Sequence, residues 1–191
     1  MGLLARLLAG RKAQTRQTTI DNPLRIPNPR LGFLNLQDET GAEKLSTDRR
    51  VLLSLFSESE ISNAAPPKCD VQFIYCTLDN DGRIAGSETK VRDLITSAGA
   101  YIAVIASENA SEAYKNALTP KTGWSANVAM VLTRRGDKLA EFFRTIFERM
   151  FRGQSMLVAW VEIAPQAPGS QAPDAPGVFM AAEAGHLTFA R

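Results

Sequence analysis

The sequence predicts an α/β domain: a three-layer sandwich with a mostly parallel central sheet and an antiparallel strand or hairpin at its C-terminal edge. Three observations carry this expectation. Short apolar runs, bounded by polar residues or glycine, recur along the chain as buried strands do. Between them lie segments with apolar residues at helical spacing, the clearest being Leu139, Phe142, Phe143, Ile146, Phe147 and Met150. The two kinds alternate, which is the order a parallel sheet needs, because its crossovers are long enough to hold a helix.

Residues 1–30 read as a basic N-terminal arm. Leu3, Leu4, Leu7 and Leu8 would share one face of a two-turn helix ringed by Arg6, Arg11 and Lys12, a length too short to be stable unless it lies on something. Pro23, Pro27 and Pro29 then favour extended backbone. Residues 31–191 read as a single domain. Leu31, Phe33, Leu34 and Leu36 predict the first strand, and Thr40 with Glu43 has the spacing of a capping box opening a helix to about Phe56. After a loop with Pro66 and Pro67, Val71, Phe73, Ile74 and Tyr75 predict a second strand. Asp79-Asn80-Asp81-Gly82 admits two readings, a hairpin turn returning at Arg83 to Ala85 or a plain strand-to-helix loop.

Val91, Leu94, Ile95 and Ala98 place a helix between Ser87 and a stop at Gly99, delivering the chain into the strand AYIAVIASE at Ala100 to Glu108. That stretch organises the domain, with the same alternation on either side of it. Asn109 is placed to cap a short helix with Glu112 three positions on. Trp124 to Thr133 predicts a strand, Leu139 to Met150 a helix closed by Gly153, and Met156 to Ile163 a further strand. Ala164 to Gly177 holds four prolines and predicts a surface loop. Val178 to Ala190 returns to β-prone composition, as one strand or a hairpin around Gly185, pairing antiparallel with the strand before it. The element order is similar to that of flavodoxin-like and TIR-like domains, a resemblance of topology that transfers no residue roles.

Composition narrows the function classes. A chain of 191 residues with 45% apolar and 22% charged residues can bury a core, which argues against disorder throughout. The net charge of +2 conceals an asymmetry. Arg6, Arg11, Lys12, Arg16, Arg25 and Arg30 face Asp21 alone in the first thirty residues, a net +5 that leaves −3 for the rest. Such an arm can meet phosphates, an anionic membrane surface or an acidic partner face. Cys69 and Cys76, the only cysteines, fall on or beside one strand where a bridge is sterically implausible, and a single His186 with no CxxC pair excludes structural zinc. The reading is cytoplasmic, since the N-terminal charges follow the apolar residues, the reverse of a secretory signal, and no run reaches membrane-spanning length.

In open parallel sheets ligands bind beyond the carboxyl ends of the strands. The candidates there are Asp38 and Glu39, Asp79 and Asp81, and Ser107, Glu108 and Asn109. If these loops meet at one rim, their oxygens could hold a hard cation such as Mg²⁺. GxGxxG, GxxxxGK[ST] and GxSxG are absent. Cys76 and His186 form the one nucleophile–base pair that a neighbouring last strand could join. The basic arm lacks interleaved aromatics, so sequence-specific nucleic-acid binding is not expected. The leading expectation is a non-catalytic module for protein interaction or ligand sensing. The alternative is a small metal-dependent hydrolase or nucleotide-acting enzyme using the strand-end carboxylates. A protein partner, a homodimer through a free edge strand, and peripheral contact with anionic membrane through the N-terminus are the associations expected.

Overall fold

Leu31–Asn35, Val71–Tyr75 and Ile102–Ile105 are buried at every position, the mark of strands covered on both faces. The computed structural model describes residues 23–118, 124–134, 138–163 and 177–191. In chain order its elements are β1 (Leu24–Pro27), β2 (Leu31–Asn35), α1 (Glu39–Leu52), β3 (Ser59–Ser62), β4 (Val71–Tyr75), α2 (Val91–Ala98), β5 (Ile102–Ile105), α3 (Ser111–Leu118), β6 (Asn127–Thr133), α4 (Lys138–Phe151), α5 (Met156–Ile163), β7 (Gly177–Ala182) and β8 (Leu187–Ala190). The N-terminal segment with Leu3, Leu4, Leu7 and Leu8, and residues 164–176 of the proline-rich stretch, lie outside the described residues.

The main sheet runs β3-β2-β4-β5-β6-β7, parallel throughout except that β7 is antiparallel to β6. Its parallel strands follow the order 2-1-3-4-5, the doubly wound arrangement of flavodoxin-like domains. Side chains divide by period two. Phe33, Phe73, Tyr75, Val104 and Val131 join α1, α4 and α5 on one face. Leu34, Ile74, Cys76, Ile105 and Met130 join α2 and α3 on the other. The phenylalanine stripe of α4 is core as expected: Phe143 meets Phe73 edge-on at 5.5 Å, and Phe147 lies 5.6 Å from Phe56 and 5.7 Å from Phe189. Gly99 (φ 74°) and Gly153 (φ 90°) close their helices in the left-handed conformation.

Several readings of the sequence are corrected or resolved. Met156–Ile163 is a helix, because Met156, Ala159, Trp160 and Ile163, at i, i+3, i+4 and i+7, pack into the core beside α4; a short, mostly apolar run looks alike as strand or helix until a partner chooses a face. Helix α1 starts earlier than the Thr40 box, since the Asp38 carboxylate accepts the Thr40 backbone N–H at 3.0 Å and thereby caps it. The C-terminal stretch pairs with two different strands: β7 runs antiparallel to β6, whereas β8 leaves the sheet and pairs in parallel with β1. Residues 24–27, read as the end of the extended arm, therefore form a strand. Asp79 to Gly82 combines both readings, a minimal hairpin with Leu78 bridging Ile84, set within the connection from β4 to α2. No helix among the described residues is long and apolar enough to cross a membrane.

Candidate functional site

Helix α1 leaves β2 over one face of the sheet, and the chain after β4 leaves over the other, so the carboxyl ends of these neighbouring strands part and leave a crevice between them. It holds an open, mainly polar cavity of about 240 Å³ walled by Gln37, Asp38, Thr40, Lys44, Thr77 and Ile84, among others. A second cavity of about 440 Å³ shares Leu36, Gln37 and Ile84 with the first and adds Asn63, Thr89 and Leu94.

Local sequence explains the walls. Asp38 is held at the mouth by its capping role, and Lys44 follows Thr40 by four residues, one turn along the same face of α1. The first turn of α1 approaches the end of β2 so closely that a Cβ on Gly41 would stand 2.4 Å from Asn35 Oδ1 and 2.6 Å from Gln37 Cβ. Asn35 Oδ1 in turn accepts the Gln37 backbone N–H at 3.1 Å, which fixes the direction in which Gln37 leaves the strand.

Gln37 is the hub of the rim. Its Nε2 donates to Thr77 Oγ1 (3.1 Å) and its Oε1 accepts from Ser107 Oγ (2.9 Å), tying together the ends of β2, β4 and β5. Asn109 continues the lacing: Oδ1 accepts the Leu78 N–H at 2.7 Å, and Nδ2 donates to the Ser107 carbonyl at 2.9 Å. The capping role expected of Asn109 is thus replaced by a loop-to-loop bridge, its amide taken up by the Leu78 N–H and the Cys76 carbonyl at the end of β4. Glu108 accepts the Arg134 backbone N–H at 2.5 Å and brings in the end of β6.

Beneath the rim, on the α1 face, lies a buried charged cluster. Arg134 donates to both oxygens of Asp48, at 2.9 and 2.5 Å, and to the Ala106 carbonyl at 3.2 Å, while Tyr75 Oη donates to Asp48 Oδ2 at 2.7 Å. Burial, reinforced by the Asp48 carboxylate, holds the Tyr75 hydroxyl well above its usual range. Burial likewise pushes the Cys76 thiol up to about 12, so this thiol stays protonated and unreactive at neutral pH.

No protein-family model, curated protein or solved structure matches this chain.

Of the sequence candidates, Asp38 lines the crevice and Ser107 is one hydrogen bond away from it through Gln37. Glu39 is exposed in the first turn of α1. Asp79 accepts the N–H groups of Asp81 and Arg83, both at 2.9 Å, shaping the hairpin, and Asp81 pairs with Arg83 at 3.7 Å. Among the described residues no three His, Cys, Asp or Glu side chains are grouped so as to hold a metal ion. His186 and Cys76 have separate neighbours: His186 Nδ1 lies 3.0 Å from Ser155 Oγ at the start of α5, and Cys76 belongs to the core under α2 and α3. Sequence reasoning missed Gln37, Lys44, Thr77, Asp48 and Arg134. A search for carboxylates passes over neutral polar groups such as Gln37 and Thr77. Asp48 did carry a signal, standing on the inward stripe of α1 between Leu45 and Leu52.

Proposed function

We propose that the protein is a ligand-sensing α/β module that binds a small polar molecule between the ends of β2 and β4. The observation that carries this reading is the laced rim. Gln37, Ser107, Asn109 and Glu108 use their polar groups on one another and on neighbouring backbone, which supports a preformed cleft over a cluster of reacting groups. A cleft held in its bound shape avoids much of the ordering cost of binding. Helix α1 supplies the sensing element. Its mouth residues Asp38, Thr40 and Lys44 line the cleft, and its inner face carries Asp48, bonded to β4 through Tyr75 and to the end of β6 through Arg134. A ligand that pulls on α1 is thereby coupled to β4 and to the end of β6.

The test is a thermal-shift screen of the full chain against sugars, nucleosides, phosphorylated metabolites and divalent cations. A ligand at a hundred times its Kd stabilises the fold by about 2.7 kcal/mol. The expected result is a shift by an organic ligand that Lys44→Ala or Thr40→Val removes while the unliganded melting point stays in place. A panel without a shift, or a shift by Mg²⁺ alone with accompanying hydrolysis, overturns the reading.

A further inference from the structure

We infer that the ligand of this crevice presents a vicinal diol to Asp38, as a ribonucleoside does, with no phosphate at the start of α1; the inference rests on the ligand-binding reading above and names its chemical class. The start of a helix following the first strand of a doubly wound sheet ordinarily attracts phosphate, because its N–H groups and dipole favour an anion. Here the chain supplies that anion itself. Asp38 Oδ1 accepts the Thr40 N–H, its backbone carbonyl accepts those of Gly41 (3.1 Å) and Ala42 (3.3 Å), and Glu39 adds a second carboxylate in the same turn. A phosphate arriving there meets two negative charges.

A carboxylate offers about four acceptor positions, of which the N-cap bond uses one. The remainder of Asp38 faces a cavity whose other polar groups are those a sugar uses. Thr77 Oγ1 already accepts from Gln37 Nε2, which leaves its O–H to donate, and Thr40 contributes a second hydroxyl. Lys44, in the wall of the same cavity, can donate to a ring or hydroxyl oxygen. The cavity of about 240 Å³ suits a pentose, and the adjoining one of about 440 Å³ offers Leu36, Ile84 and Leu94 for a flat group and Asn63 and Thr89 for its polar edge. A ribose carrying a base matches this division.

Calorimetric titration of the full chain with adenosine, guanosine, cytidine and uridine, their 2′-deoxy counterparts, their 5′-monophosphates and D-ribose tests the inference. At least one ribonucleoside should bind. Its 2′-deoxy counterpart and free ribose should each bind about tenfold or more weakly, and its 5′-monophosphate no more tightly. Asp38→Asn keeps an N-cap residue of equal quality, so it should leave the unliganded melting point in place while weakening the ribonucleoside about tenfold. Equal affinity for ribo- and 2′-deoxynucleoside, tight binding of ribose alone, or tighter binding of the monophosphate overturns the diol assignment. If such a ligand still depends on Lys44, the crevice reading survives that outcome. Absence of binding by every compound, sugars and phosphates of the wider screen included, overturns both.

Discussion

Arg134 and Asp48, 86 residues apart, form a two-pronged ion pair beneath the sheet's carboxyl ends, with Asp48 fully buried and Tyr75 closing the third side. Breaking such a pair from one side strands a charge in the interior. Arg134→Met should therefore cost about 3–5 kcal/mol in urea denaturation, whereas Arg134→Met with Asp48→Leu should recover most of it. A single variant as stable as the parent would show that Asp48 has another partner.

Gln37 joins three strand ends with one amide. Gln37→Leu should lower stability by about 1–2 kcal/mol, leaving Ser107 and Thr77 without that partner. Amide hydrogen exchange should accelerate in the loops after β2, β4 and β5 and stay unchanged in α4. Acceleration spread uniformly over the chain would contradict a local hub.

Gly41 reverses a familiar rule. Glycine to alanine within a helix usually gains about 1 kcal/mol, but here the new methyl would press on Asn35 Oδ1 and Gln37 Cβ. Gly41→Ala should lower stability by about 1–3 kcal/mol. A raised melting point would mean that α1 can move away from the rim.

Alkaline pH should destabilise the fold. Burial pushes both Cys69 and Cys76 from 9.0 up to about 12, with Asp70 adding to the effect at Cys69. Between these values the unfolded chain releases thiol protons that the folded chain retains. The stability is thus fully present below about pH 9 and falls as pH rises towards 12, by at most about 1.4 kcal/mol per pH unit for each thiol. Tyr75 acts in the same direction above 10. Cys76→Ala should flatten this limb in pH-dependent unfolding; an unchanged slope would exclude the thiol as its source.

Gln72 sits within β4 between Gly32 and Ala103, fully buried, with neither amide atom hydrogen-bonded among the described residues. Gln72→Met removes that desolvated amide at similar volume and should raise the unfolding free energy by about 1–3 kcal/mol, read as a higher urea midpoint with the same m-value. A loss of stability would reveal a partner for the amide.

The sequence by itself determined the class of fold. Runs such as Val71 to Tyr75 and Ile102 to Ile105, and the stripe from Leu139 to Met150, announce buried strands and an amphipathic helix through local periodicity alone. It also pointed to the strand-end loops, and hence to Asp38. Tertiary structure decided everything that depends on which neighbour arrives. Met156–Ile163 became a helix when α4 offered it a face, β8 left the sheet for β1, and Asn109 bonded the Leu78 loop in place of its own helix. Gln37, Thr77 and Ser107, and likewise Asp48 and Arg134, meet only after the sheet has brought distant segments together. Their energies arise from partners tens of residues away, and periodicity, which reports only a residue's near neighbours along the chain, carries no record of them.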